Sequence, residues 1–192
     1  MQRALEAALG SAHPEAPVGT LLAGLGVLLV GSGGAAASIG LELVRSGVSL
    51  TIVDVAAADA RALAARLAPH AAMPIETGDW DLIVRVAPRC GIIVSAISAG
   101  APLDAAGIAG LPPDTLFADA RYGPAAEFAR AAAQAGRLSN GSVLDGSAML
   151  FGQFAAAAAL ACPIAGIKIE SLKKGRLRDE RGIVSSSVRF AA

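Results

Sequence analysis

The sequence predicts an α/β protein, a doubly wound parallel sheet carrying a C-terminal β-hairpin extension. Three observations carry that reading: short apolar runs alternate with segments of helical spacing along most of the chain, glycines cluster where the first apolar run ends, and in the last thirty residues two segments mix apolar and polar residues in alternation around a charged turn. The chain has 192 residues, about one domain, and 54% of them are apolar, enough to close a hydrophobic core. Sixteen basic residues balance sixteen acidic ones and aromatics make up only 4%, so neither a basic field nor a stacking platform invites nucleic acid.

Residues 1 to 10 (MQRALEAALG) read as an amphipathic helix rather than a targeting segment. Together with Cys90 and Cys162, too few for a disulfide framework, without metal-ligand spacing and read as reduced core residues, this places the expectation in the cytoplasm. Ala16 to Leu41 carry no charge and reach membrane-spanning length. Seven glycines interrupt that run, which reads instead as strand, loop and helix in series.

Past a linker with Pro14 and Pro17, Gly26 to Val30 (GVLLV) is a buried parallel strand ending in glycines. Ala35 to Ser46 follows as a helix with Ile39, Leu43 and Val44 on one face, stopped by Gly47. Val48 to Val53 is the second strand, and Ala57 to Leu67 a helix closed by Pro69. A weaker strand is expected at Ala72 to Ile75 and a helix at Asp79 to Val86, with Asp79, Trp80 and Asp81 as its start. Strands at Gly91 to Ala96 and Thr115 to Ala118 precede a helix from Pro124 to Ala135 and a last helix from about Ser147 to Ala161. In the tail, Ile167 to Leu172 and Ile183 to Val188 form the expected hairpin around DERG, and all three lysines (Lys168, Lys173, Lys174) lie there. The division is thus a nucleotide-binding domain over 1–162 and a hairpin tail over 163–192, whose exposed edge suits dimerisation.

Between the first strand and first helix stands Gly31-Ser32-Gly33-Gly34-Ala35-Ala36, a dinucleotide fingerprint of the Rossmann type. Gly31 serves the tight turn, Gly33 the approach of a pyrophosphate, and Ala36 the close packing of helix on sheet. The helix N-terminus turns free amides toward the phosphates. Asp54 ends the next strand, where a carboxylate accepts hydrogen bonds from a ribose 2′-hydroxyl and repels a 2′-phosphate. No arginine follows it until Arg61, so NAD is favoured over NADP.

Taken together, GSGGAAASI (Gly31 to Ile39), GIIVSAISAG (Gly91 to Gly100), FADARYGP (Phe117 to Pro124) and DGSAMLFGQFAAA (Asp145 to Ala157) resemble the C-terminal nucleotide-binding domain of the shikimate and quinate dehydrogenase family, over about residues 1 to 160. The resemblance implies hydride transfer between a nicotinamide and the hydroxyl or ketone of a cyclohexane carboxylic acid. It also implies that Gln153 and Tyr122 contact substrate, that Gly146 and Met149 pack on the nicotinamide, and that Ser95, Ala96 and Ile97 form the strand end beneath the cofactor.

The sequence departs from the family too. The family's catalytic lysine and aspartate come from an N-terminal substrate domain, this chain begins at the helix that follows that domain, and it has no lysine before Lys168. Ser95 and Ile97 replace an asparagine and a threonine, and Arg121 precedes Tyr122 in DARYGP. Shikimate itself is therefore doubtful as the substrate, and Tyr122 is the leading candidate for proton exchange. His13, His70 and Asp119 are weaker ones, the last able simply to fix the loop that follows it.

Three readings stand: a NAD-dependent oxidoreductase of small hydroxy or keto molecules whose pocket is completed by a dimer mate or a separate substrate-domain protein; a nucleotide-binding module without chemistry; and a dehydrogenase of the methylene-tetrahydromethanopterin or methylene-tetrahydrofolate type, against which the Asp145 to Gln153 segment argues.

Overall fold

The computed structural model describes residues 5, 21–137 and 143–147. Contacts divide the chain into two units, Met1–Ala148 and Met149–Ala192, and the described residues all belong to the first. The uncharged run is split as its glycines require: β1 is Gly26–Val30, and the first helix, α1, is Gly34–Arg45. Among the described residues no helix is long and apolar enough to cross a membrane.

β2 (Ser49–Val53) pairs parallel with one side of β1, from Gly26 opposite Ser49 to Val30 opposite Val53. β4 (Ile92–Ser95) takes the other side, from Val27 opposite Ile92 to Val30 opposite Ser95. β3 (Glu76–Gly78) extends the sheet beyond β2, and β5 (Leu116–Asp119) and β6 (Val143–Leu144) extend it beyond β4. The order is β3-β2-β1-β4-β5-β6 and every pair is parallel, so all six C-terminal ends share one edge. The strand order reverses between β1 and β4, the position where open α/β sheets leave a crevice for ligands.

Because neighbouring strand residues face opposite ways, each buried strand needs two apolar covers. On one face α1 lies so close that a Cβ on Gly40 would stand 2.7 Å from Leu67 of α2 (Ala57–Leu67) and 3.3 Å from Leu29 of β1. On the other, α3 (Leu82–Val86) and α5 (Glu127–Gln134) close a core of Leu28, Val30, Val53, Ile83, Ile93, Phe117 and Phe128. Ile108 of the short helix α4 (Ala105–Ala109) joins the same core. The Phe117 and Phe128 rings meet edge to face, with centroids 5.8 Å apart, a favoured aromatic geometry.

Several boundaries differ from the sequence reading. The third strand is at Glu76–Gly78 rather than 72–75, where Pro74 has no amide to give a ladder; Thr51 of β2 pairs with Glu76. The following helix begins at Leu82 and ends in a 3-10 turn, Ala87–Arg89, carrying Pro88. The expected helix from Pro124 is a 3-10 turn at Gly123–Ala125 followed by α5, because Ala126 leaves helical geometry and the Phe128 amide donates to the Asp119 carboxylate. α4, capped by Asp104 through the Gly107 amide at 2.8 Å, and the two-residue β6 were not anticipated. The N-terminal helix (apart from Leu5), the 147–161 helix (apart from Ser147), the tail hairpin and the 162/163 boundary lie outside the described residues.

Candidate functional site

Gly31 is held by two constraints. Its φ of 111° belongs to glycine, and a Cβ there would stand 2.7 Å from the Ala96 carbonyl oxygen. Its amide donates to the Val53 carbonyl at 2.8 Å, while the Ala96 amide donates to Val30 at 2.7 Å. The chain thus leaves β1 pressed against the end of β4, and the turn opens at the switch point of the sheet.

Gly33 and Gly34 differ from Gly31 in kind. Neither has a positive φ, and a Cβ on either would meet nothing within 4 Å. Packing within the described protein does not require glycine at these two positions. The space beside them lies at the start of α1, whose N-cap is Gly33, with no side-chain cap and no acidic residue in its first turn. An uncapped helix start facing open space has free backbone amides of the kind that anions accept from. Ala36 is fully buried, as the close packing of α1 on the sheet demands.

At the end of β2, the Asp54 carboxylate accepts from the Ser32 hydroxyl at 2.6 Å and from the Ala56 amide at 3.4 Å. Ser32 thereby ties the acid to the glycine loop across 22 residues of sequence. Gly31, Ser32, Gly33, Asp54, Ala96 and Ile97 line one cleft of about 350 Å³, joined by Val55, Trp80, Ser98 and Ala99. That volume falls within the roughly 300–1,000 Å³ usual for small-molecule sites. Among the described residues its lining has one carboxylate and no cationic side chain. Ser95 is fully buried behind this edge, its hydroxyl without a hydrogen-bond partner among the described residues.

The other sequence candidates sit elsewhere. Asp119 is fully buried and its oxygens are engaged: Oδ1 accepts from the Arg121 amide at 3.0 Å and Nε at 3.2 Å, and Oδ2 from the Phe128 amide at 2.9 Å and Arg121 Nη2 at 3.3 Å. It organises the loop after β5. The Arg121 guanidinium also donates to the Gly100 carbonyl, which fastens the loop after β4 to the loop after β5. Tyr122 is 52% exposed and lines neither this cleft nor the larger cavity near α5. Gly146 is buried, its amide donating to Arg121 at 2.7 Å, and a Cβ there would overlap the Ala120 carbonyl, so this glycine has a packing requirement of its own. His70 is exposed in the 3-10 turn after α2. Met149 and Gln153 lie outside the described residues. Cys90 is buried, and burial pushes its thiol up to about 11. Among the described residues no group of three or more His, Cys, Asp or Glu could hold a metal ion.

Sequence reasoning missed Trp80 as a cleft residue. With the third strand at 72–75 and a helix from Asp79, it read as a helix start; with the strand at Glu76–Gly78, it falls just past a strand's C-terminal end.

Comparisons with known proteins bear on the fold that carries this cleft. No protein-family model matches the chain. It is 34% identical over 131 residues to a shikimate dehydrogenase (NADP(+)) of Rhodospirillum rubrum, covering 66% of this chain and 45% of that protein. It is 33% identical over 153 residues to the enzyme of the same name from Methylobacterium radiotolerans, covering 78% and 50%. The chain therefore spans about half the length of the curated relatives it matches. Among solved structures, a shikimate dehydrogenase in complex with NADP+ superimposes with a TM-score of 0.60 at 19% identity, covering 90% of this chain and 58% of the other. A 5-ketofructose reductase of Gluconobacter sp. strain CHM43 gives 0.57 at 25% identity, covering 79% and 54%.

Proposed function

Since this chain is a homologue of the shikimate dehydrogenases over about half their length, we propose that it carries the dinucleotide site of a NAD-linked oxidoreductase acting on a small hydroxy or keto compound. One observation supports this above the rest: the open-faced glycines at 33 and 34, the uncapped start of α1 and the Ser32-bound carboxylate of Asp54 line or adjoin one cleft at the switch point of the sheet. The residues fit the group, because the space a Cβ would fill at Gly33 and Gly34 is where a pyrophosphate meets the α1 amides. A nicotinamide bound there supplies or accepts the hydride.

The chain's own residues do the rest. Gly31 lets the loop turn without lifting from β4, Gly33 and Gly34 leave the amides approachable, and Asp54 accepts from the ribose hydroxyls while Ser32 keeps its carboxylate aimed along the loop. Ser95, Ala96 and Ile97 close the sheet edge beneath the cofactor. NAD is favoured over NADP although the two curated relatives carry NADP(+) in their names, because a 2′-phosphate would face Asp54 with no cation among the described residues of the cleft lining. Tyr122 exchanges the substrate proton in this reading, Gly146, Met149 and Gln153 keep the nicotinamide and substrate roles that the family resemblance implies, and residues from a second copy or another protein supply the remainder of the pocket.

The test is calorimetric titration of the full chain with NADH and with NADPH, repeated on Asp54→Ala. The reading expects NADH to bind more tightly than NADPH and to weaken at least about tenfold in the variant, a loss of roughly 1.4 kcal/mol. Binding of neither cofactor defeats it.

A second reading, a nucleotide-binding module without chemistry, draws on one observation: the only titratable side chain lining the described cleft is Asp54, already engaged by Ser32. Hydride transfer from NADH to cyclic keto acids, or from cyclic hydroxy acids to NAD+, separates the two, since a pure binding module shows neither.

A further inference from the structure

The glycine loop and Asp54 account for phosphates and ribose and leave one large side chain of the cleft unassigned. Trp80 is the single tryptophan in the sequence. The Asp54 amide donates to the Gly78 carbonyl at 3.3 Å, so β3 carries the chain past the end of β2 and Trp80 comes two residues later. There its carbonyl accepts from the Ile83 amide at 3.1 Å at the opening of α3. Its indole packs in part against the core beneath α3 and in part lines the cleft beside Asp54, Val55 and Ile97. An indole has a flat apolar face to offer an occupant of the cleft it lines.

The sheet order sets how an occupant would lie along the cleft. Along the C-terminal edge, adjacent strands β1, β2 and β3 deliver in turn the glycine loop, Asp54 and Trp80. A nucleotide laid along this edge with its phosphate at the first and its ribose at the second sets its base at the third. Val55 and Ile97, the other apolar side chains there, add no charge that would select against a neutral heteroaromatic ring.

We infer that Trp80 forms the adenine wall of the cleft and sets its selectivity for an adenine nucleotide over the bare sugar phosphate; this rests on the dinucleotide reading above. Base–aromatic contact of this kind is sequence-tolerant in strength and supplies affinity without a hydrogen bond. It also makes the protein its own reporter, because every photon of indole emission comes from this site and that emission overlaps the absorption of a reduced nicotinamide.

The experiment follows tryptophan emission and calorimetry together on the full chain and on Trp80→Phe and Trp80→Ala, with AMP, NADH and ribose 5-phosphate as ligands. AMP and NADH are expected to change Trp80 emission at saturation. AMP affinity should fall about tenfold or more in Trp80→Ala and be largely retained in Trp80→Phe, while ribose 5-phosphate binds wild type and both variants alike. If calorimetry detects NADH while Trp80 emission stays silent and the variants bind AMP as wild type does, the adenine wall is overturned and the dinucleotide site stands. If wild type binds neither AMP nor NADH, both fall. Should Trp80→Ala fail to fold, Trp80→Leu, which keeps bulk without an aromatic face and is expected to lose AMP affinity in the same way, takes its place beside the wild-type emission.

Discussion

The guanidinium of Arg121 folds back on the carboxylate of Asp119, two residues earlier, with Nε 3.2 Å from Oδ1 and both side chains largely withdrawn from water. A buried carboxylate is costly unless its charge is met, and here the arginine and two backbone amides meet it. The same arginine reaches the Gly100 carbonyl, so one ion pair fixes two loops on the ligand-facing edge.

Asp119→Asn should therefore destabilise the fold by about 3 kcal/mol, the usual cost of breaking a buried ion pair from one side. Urea unfolding measures it. A loss below about 1 kcal/mol would show that the Arg121 charge finds solvent once its partner is neutral.

Gly31→Ala and Gly33→Ala should separate stability from binding. The first forces a positive φ on alanine and drives its Cβ into the Ala96 carbonyl, costing about 3 kcal/mol or more. The second enters open space with an ordinary φ of −70° and should cost less than about 1 kcal/mol, while weakening NADH at least about tenfold. Equal stability loss in both variants would contradict this division.

Asp54→Ser combined with Val55→Arg should turn cofactor preference toward NADPH. Val55 is 77% exposed beside the carboxylate, so an arginine fits without disturbing the core. A shift in the NADPH-to-NADH affinity ratio of at least about tenfold is expected by calorimetry, and an unchanged ratio would place the ribose away from β2.

Cys90 gives a pH dependence of definite sign. Its thiol titrates near 9.0 in the unfolded chain and is pushed up to about 11 by burial, so between those values the native state holds the proton longer. Its contribution is complete below pH 9.0 and is lost as pH rises toward about 11. Cys90→Ala, less stable at neutral pH for its lost packing, should consequently show a shallower alkaline decline than the parent in urea titrations from pH 8 to 11.

How much of this was legible in the sequence depends on where packing speaks through side chains. β1, β2, β4 and β5 were each found to within two residues, because a strand covered on both faces must be apolar throughout. β3 carries Glu76, Thr77 and Gly78 at the sheet's edge, a pattern with no strand signature, and its misplacement hid Trp80. The glycine loop and Asp54 meet at one cleft because they end adjacent strands, a relation the strand pattern carries, whereas the Ser32 hydroxyl that joins them has no mark in the sequence beyond its place in the loop. Asp119 was recognised as an acid at a strand end, yet only the three-dimensional convergence of the Arg121 and Phe128 donors explains its burial.

The register of the sheet has a kinetic consequence. β1 with β2, β2 with β3, β4 with β5 and β5 with β6 all join partners 23 to 26 residues apart, whereas β1 and β4 join Val27 to Ile92 across 65. Closing that longer loop costs about 0.9 kcal/mol more by chain entropy, so the seam between β1 and β4 is the pairing that connectivity favours least. Gly31 against Ala96 is that seam, and the cleft straddles it. A ligand lying there holds the halves together, so its affinity is felt directly as resistance to unfolding of the whole sheet.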